Sequence, residues 1–372
     1  MSDREKERQS EGEIERQPSE LSLSLHPSTS PSLIRSISPY LWCGLALIVA
    51  LLLSAAIGAV SIPPWDVARV LLSRVFPITP DWSDTFATIL FDIRLPRTAL
   101  IALTGAALAG SGAAYQGLFR NPLADPYLIG IASGAGLGAI VAMAWQWPSS
   151  MLGYMTVPLA AFIGALLTAA IVYRLARVGR TTPITTLILA GVAVGSFTTA
   201  LTTFLMLRSQ GELRRAIGWM LGGFALGGWS PVIAVLPFVI IGLTILTLFG
   251  RPLNVLQFGD DQAQQMGLNV DRVKLIVIIA ASLTAAAAVA FSGIIGFVGL
   301  AVPHLARLIW GGDYRRLVPL SIIGGAAGLL CADIIARTII APQEVPVGVV
   351  TALLGAPFFV WLLRRAKQQT FW

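Results

Sequence analysis

KLIVIIAASLTAAAAVAF, residues 274–291, carries a single charged side chain in eighteen positions, the lysine that opens it. An α-helix rises about 1.5 Å per residue and a bilayer core is about 30 Å thick, so roughly 20 mostly apolar residues suffice to cross a membrane. Outward from this stretch, nine more approach the same requirement: residues 41–62, 98–119, 127–147, 157–173, 184–207, 231–250, 293–309, 317–340 and 346–363. The stretch 293–309 is short and interrupted by Pro303 and His304. The pattern predicts an all-α polytopic membrane protein of about ten transmembrane helices, with residues 38–366 as its membrane domain and 367–372 as a cytoplasmic end.

Composition points the same way. The 372-residue chain is 55% hydrophobic and only 12% charged, with a mean hydropathy of +0.76, outside the range of soluble domains. Its 36 glycines suit close packing of membrane helices. The net charge of +7 comes from residues at the ends of apolar stretches. Membrane topology accounts for them better than an anionic polymer, so no nucleic-acid partner is expected. Cys43 and Cys331 both lie within apolar spans as small hydrophobes, with no disulfide framework or thiol metal site implied.

Residues 1–37 form a separate zone. Positions 3–20 alternate charges and 21–38 are rich in Ser and Pro, too little apolar surface to offset the entropy of ordering, so a disordered cytoplasmic tail is expected. It is too long and acidic for the start of a cleaved signal peptide, and the first helix is read as uncleaved. With the tail inside, 14 basic residues fall on the cytoplasmic side (Arg35, Arg120, Arg174, Arg177, Arg180, Arg251, Arg272, Lys274, Arg307, Arg315, Arg316, Arg364, Arg365, Lys367) and 8 outside (Arg69, Arg74, Arg94, Arg97, Arg208, Arg214, Arg215, Arg337). Both termini are therefore placed inside. The outside arginines oppose the rule and call for another role.

Among the loops, residues 63–93 begin Pro63-Pro64-Trp65-Asp66, and the spacing of Val67, Val70, Leu71 and Val75 predicts an interfacial helix over 65–75. Residues 218–229, with Trp219 and Trp229 at the ends, read as a second segment at headgroup level. Trp42, Trp145, Trp147, Trp310 and Trp361 near span ends fit an aromatic belt. Inside, RPLNVLQFGDDQAQQMGLNVDRV (251–273) is the longest cytoplasmic connection. Asp260, Asp261 and the Gln run suit a short amphipathic helix between turn points at Gly259 and Gly267. On its own terms this loop is either a connector or a handle for a soluble partner.

Several chemistries are set aside. The chain has no G-x-x-x-x-G-K-[ST] phosphate loop, so it is not expected to hydrolyse ATP or act as an enzyme. The glycines of residues 133–138 sit in an apolar span with no preceding strand, which fits helix packing rather than a nucleotide fingerprint. Only two histidines occur, His26 in the tail and His304 beside Pro303, so neither a metal site nor a cofactor is expected. His304 is read as structural, at a helix bend. Asp333 is nearly the only acid within the spans, and Arg337 four residues on is its evident partner.

Five motifs in order then define a resemblance: RLPR (94–97), GAALAGSGAAYQGLFRNPLADPYLIGIASGAGLGA (105–139), the 251–273 loop, GIIGFVGLAVPHLARLI (293–309), and ADIIAR (332–337) followed by PQEVPVGVVTALLGAPFFVWLLRR (342–365). Together they resemble the FecCD-type permeases, membrane subunits of bacterial ABC importers for iron-siderophores, haem and cobalamin, over nearly everything after residue 60.

The resemblance implies a type II importer permease with an inverted internal repeat, no cofactor of its own, an ABC ATPase dimer, a periplasmic or lipid-anchored binding protein, and a second copy of itself or a homologous permease as partners in the cell inner membrane. By that match Leu256, Gly259, Asp260, Ala263, Met266 and Gly267 contact the ATPase. Arg94, Arg97 and Arg337 pair with glutamates of the binding protein, a role that suits the two-pronged guanidinium, though Asp333 is a rival partner for Arg337. Asn121 and Leu123, with Ile184 and Thr185, form the cytoplasmic gate. Ile184 departs from the family's hydroxyl pair. The expected function is import of an iron-siderophore complex, with cobalamin or haem as alternatives. A stand-alone secondary transporter would need mid-membrane coupling carboxylates and gives the 251–273 loop no work.

Overall fold

A computed structural model describes residues 33–58, 62–73, 76, 83–145, 153–179, 181–208, 211–223 and 227–369. The tail 1–32, Arg74, Val75, Trp147 and Arg180 lie outside the described residues. The chain divides into Met1–Ser38 and Pro39–Trp372, and the second unit holds the membrane domain. Among the described residues the structure is helical, with one isolated bridge between Val178 and Thr181.

In chain order the helices are α1 (Leu33–Ala56), α2 (Pro64–Leu72), α3 (Asp84–Thr88), α4 (Leu95–Phe119), α5 (Ile131–Ala144), α6 (Thr156–Ala176), α7 (Ile184–Arg208), α8 (Leu213–Met220), α9 (Ser230–Leu248), α10 (Gly250–Leu256), α11 (Asp260–Gln265), α12 (Val270–Ser292), α13 (Val298–Trp310), α14 (Tyr314–Thr338) and α15 (Val347–Gln369). Ten of them match the ten apolar stretches. Among the described residues six segments are long and apolar enough to cross a bilayer unaided: Ser38–Ala56, Gly153–Ala176, Ile184–Arg208, Ser230–Leu248, Val270–Ser292 and Tyr314–Thr338. Two matches are distinctly shorter. α5 is cut at its start by the left-handed Gly130 (φ 83°) that ends a 3₁₀ turn, Pro126–Ile129. α13 begins only after Gly293 and Phe297, both at positive φ, so this stretch yields a helix of only thirteen residues, Val298–Trp310.

The 25-residue α4 is the axis of the bundle, buried from Thr104 to Phe119 without a break. Its small residues permit this. A Cβ on Gly105 would collide with the Gly325 carbonyl of α14, and one on Gly112 with the Gly299 carbonyl of α13. Without a hydrophobic drive between helices in lipid, such close backbone approach supplies the packing energy. The outer helices present apolar surface instead: Leu189, Val192, Phe197, Phe204 and Leu207 on α7, and Leu353, Leu354 and Trp361 on α15, are exposed, as lipid or another protein surface would require.

The expected interfacial helix is α2. Its Val67 and Val70 pack with Ala55, Ile62 and Leu90, while Trp65 stays exposed beneath the Arg69 guanidinium, 5.7 Å from the ring centre. At the segment expected over 218–229, helix α8 starts earlier and Trp219 is buried in the protein. Trp229 lies exposed, its Nε1 donating to the Phe91 carbonyl at 3.0 Å.

Candidate functional site

The two ends of α4 are about 36 Å apart at 1.5 Å per residue, and the candidate residues gather at both. At the first end, α3 is capped by Ser83, whose Oγ accepts from the Thr85 N–H at 3.3 Å. It runs through a wide π turn, Ile89–Arg94, straight into α4. Wide turns of this kind re-aim side chains, and here Arg94 reaches back to α1: its Nη1 donates to the Ala55 and Ala56 carbonyls at 2.8 and 2.7 Å. Arg337 of α14 donates to the carbonyls of Ile57 (2.9 Å) and Ser54 (3.3 Å) and to Ser54 Oγ (3.1 Å). Both arginines are buried. They satisfy the last carbonyls of α1, which no intrahelical N–H reaches, and their charge complements the helix dipole.

Arg337 also lies 2.8 Å from Asp333 Oδ2, and the other oxygen of Asp333 accepts from Arg97 Nη2 (2.9 Å) and Nε (3.2 Å). Asp333 is wholly buried and Arg97 is 21% exposed. Arg97 then meets Glu344, 51% exposed, through Nη1 at 2.8 and 3.0 Å. The rival partner for Arg337 is therefore present, and of the three arginines only Arg97 has an open edge. Arg94 and Arg337 face the interior, so any partner protein reaches them only through a rearrangement. Beside this cluster a cavity of about 380 Å³ is lined by Arg97, Tyr154, Arg215, Trp219, Glu344 and Pro346.

At the other end, the 251–273 loop folds as two short helices, α10 and α11, where one was expected. α10 is held down by Gln257, which donates to the Gly117 carbonyl of α4 at 2.9 Å, and by Asn254, whose amide donates to Asp313 at 2.6 Å and whose Oδ1 accepts from the Tyr314 N–H at 2.9 Å. Burial pushes Asp313 up, but the Asn254 amide, the Arg315 N–H and the charges of Arg315 and Arg316 outweigh it and hold its carboxyl below the ordinary range. Gly259 (φ 104°) and Gly267 (φ 86°) turn the chain around α11 as read from the sequence. Leu256 and Ala263, however, are buried within this chain. They fasten α10 and α11 to the bundle, so they do not face outward as expected. The outward residues are Phe258 and Met266, 62% and 60% exposed, with Asp261, Gln262, Gln264 and Gly267 also exposed and Gly259 and Asp260 half-buried. Phe258 was not singled out by the sequence.

Lys274 is a second residue that sequence reasoning placed only as a topology charge. It is buried, with Asp260 Oδ2 at 2.5 Å and the Thr182 carbonyl at 3.4 Å. The gate candidates fall in two pairs about 60 positions apart in the chain. Asn121 Oδ1 accepts from the Leu123 N–H at 2.9 Å, closing a tight turn, with Leu123 exposed. Ile184 is half-buried and Thr185 exposed at the start of α7. Among the described residues no hydrogen bond joins the two pairs. α7 instead meets the Pro126–Ile129 turn, where a Cβ on Gly191 would collide with the Leu128 carbonyl.

Between α7 and that turn lies a cavity of about 780 Å³ lined by Asp125, Tyr127, Ser133, Ser196, Thr199 and Thr202 among others. Asp125 is half-buried by area yet enclosed by protein. Burial drives its carboxyl up to about 6, against the opposing pull of the Tyr127 N–H, which Oδ1 accepts at 2.8 Å. His304 is buried with its ring edge-on to Phe358 and Phe359, at 6.4 Å from each. Among the described residues, no group of three or more His, Cys, Asp or Glu stands close enough together to hold a metal ion.

A multi-pass helical bundle with a short-helix pair projecting at one end and a cavity beside α7 is the architecture of a membrane transport subunit. The chain matches the FecCD transport family over residues 46–365 and belongs to it. It is 44% identical over 301 residues to the cobalamin import system permease protein BtuC of Halobacterium salinarum, covering 81% of this chain and 79% of that one. It is 40% identical over 343 residues to the hemin transport system permease protein HmuU of Yersinia pestis, covering 90% and 98%. A solved ABC transporter described as of metal-chelate type, in an inward-facing conformation, superposes with a TM-score of 0.76 at 28% identity, over 87% of this chain and 98% of that one. The protein is thus a multi-pass permease component of an ABC importer with the type II fold.

Proposed function

We propose that this permease carries an iron-siderophore complex into the cytoplasm, driven by a separate ABC ATPase dimer. The observation that carries the reading is an outward-facing short-helix segment, Phe258–Met266, in a chain that also holds a cavity of about 780 Å³ beside α7. The cavity wall is built of glycines, hydroxyls and apolar side chains, with Asp125 as its one carboxylate among the described residues. Few polar contacts suit a bulky chelate whose metal is already wrapped by its own ligands. A second reading, with cobalamin or haem as substrate, is favoured by the relatives named for cobalamin and haemin.

In this reading the chain sits in the inner membrane with both termini cytoplasmic and pairs with a second copy or a homologous permease across the exposed faces of α7 and α15. The ATPase seats on Phe258, Asp261 and Met266, and the Asn121–Leu123 turn with Ile184 and Thr185 closes the cytoplasmic exit. A periplasmic or lipid-anchored binding protein docks at the opposite end on the open edge of Arg97. Arg94 and Arg337 act there from behind, by fixing the end of α1. An exposed arginine–carboxylate contact is worth only about 0.2–1 kcal/mol, so docking draws on several and gains chiefly in orientation and on-rate.

Uptake by intact cells lacking the gene, with and without its restoration, tests the substrate. Loss of labelled ferric siderophore alone is the expected result. Loss of cobalamin or haem alone moves the assignment to the second reading, and no loss of any of the three overturns both.

A further inference from the structure

Lys274 opens the apolar run of α12, and its side chain is 6% exposed. A buried ammonium is costly unless each of its donors finds a partner. Lys274 finds its partners on two different elements. One is Asp260 Oδ2, 2.5 Å away in the first turn of α11; the other is the Thr182 carbonyl, 3.4 Å away. Thr182 is itself buried and stands two residues before Ile184, where α7 begins. α7 in turn supplies Gly191, Gly195, Ser196, Thr199 and Thr202 to the cavity wall. A single side chain therefore bridges the outward-facing segment and the helix that shapes the cavity.

Other ties between that segment and the bundle run elsewhere. Gln257 fastens α10 to the Gly117 carbonyl of the buried central helix, Asn254 holds it to Asp313 and Tyr314, and Leu256 and Ala263 are buried in the bundle. At its far side the start of α7 is held by Thr186, whose Oγ1 donates to the Ala176 carbonyl at the end of α6 at 2.8 Å. Without Lys274, the first turn of α7 keeps its tie to α6 and loses its tie to α11.

We propose that Lys274 is the positioning residue through which displacement of Asp260–Gln265 reaches the start of α7 and hence the cavity. The inference rests on the reading of that segment as the ATPase contact. Lysine is chemically suited to such a bridge, because its ammonium presents three donors on a stem long enough to hold a carboxylate and a carbonyl together. A methionine of similar length fills the same space and makes neither bond.

The test uses the permease–ATPase complex with its binding protein in liposomes, reading labelled ferric siderophore and cobalamin moved per ATP hydrolysed. Lys274→Met is expected to keep the ATPase bound while transport per ATP falls roughly fivefold or more. Lys274→Arg, which can donate to both oxygens, stays close to the unmodified protein. Equal falls for Met and Arg, or an unchanged ratio for Met, would overturn the proposal. If Lys274→Met fails to accumulate in the membrane, Lys274→Gln serves. One atom shorter, it reaches only one of the two oxygens, and its ratio is expected to fall too; a full ratio for Gln overturns the proposal. An unmodified chain that binds no ATPase would instead overturn the functional reading, which distinguishes the two failures.

Discussion

The arginine end and the 251–273 end of this bundle use charge in opposite ways. At the arginine end three guanidiniums turn onto Asp333, Glu344 and the last carbonyls of α1, so α1, α4, α14 and the chain after α14 are fastened together by hydrogen bonds and ion pairs, buried except at Arg97–Glu344. At the 251–273 end the short helices expose Phe258, Met266 and a polar run, while Lys274 turns its charge inward. The first end reads as mortar with one open edge. The second reads as a face with one internal strut. A charge on the wrong side of a membrane protein, by the positive-inside count, need not be a docking residue. It can be satisfying a helix end.

The contrast between the ends is broken most severely at Asp333. Asp333→Ala leaves Arg337 buried without a carboxylate and Arg97 with Glu344 alone, and losing one member of such a buried cluster costs about 3–5 kcal/mol. The expected result is a large fall in the melting temperature of the detergent-purified protein; an unchanged melt would mean the cluster is solvated. At the other end, Phe258→Ala with Met266→Ala should leave the melt unchanged while weakening ATPase association by about tenfold or more, as truncation of an apolar anchor does. Binding of purified ATPase to the variant, followed by light scattering or interferometry, checks it.

The two enclosed carboxylates sharpen the contrast. Asp333 has two arginines, whereas Asp125 has only the Tyr127 N–H against burial. Its folded-state pKa of about 6 lies above the unfolded value. The folded protein therefore holds the proton more tightly, and this contribution to stability is present below pH 4 and lost as pH rises through 6. Asp125→Asn, which still accepts from Tyr127, is expected to stabilise the protein at pH 8 by about 1–2 kcal/mol and to do nothing at pH 4. Melts at the two pH values decide. The smallest stability effect belongs to Glu344→Gln: as one partner of a half-exposed pair it should cost under about 1 kcal/mol. It frees the open edge of Arg97, so binding-protein affinity is expected to rise. A fall in affinity would show that Glu344 belongs to the docking surface itself.

The helices were legible because bilayer length and apolarity are written directly in composition, and 274–291 needs no tertiary context to be read. α10 was not. Its GRPLNVL carries both helix breakers and no apolar period, and it exists because Gln257 and Asn254 pin it to α4 and to the start of α14. The Asp333–Arg337 pair was readable at four-residue spacing on one helix. Arg97, 236 positions from Asp333 in sequence, was not. The inward roles of Arg94, Leu256 and Ala263 were missed for the same reason: a motif gives residue types in order but not which side of a helix faces the bundle. Lys274 was counted among topology charges because its two partners lie 14 and 92 positions away.

The central claim, a permease moved by an ATPase seated on Phe258–Met266, is tested most directly by uptake into liposomes holding the purified complex. The predicted result is accumulation of labelled chelate or cobalamin only when ATP is on the 251–273 side and loaded binding protein is on the arginine side, with both ATP dependence and uptake lost in the Phe258→Ala, Met266→Ala protein. Uptake by this chain alone, driven by an ion gradient and indifferent to ATP, would contradict it.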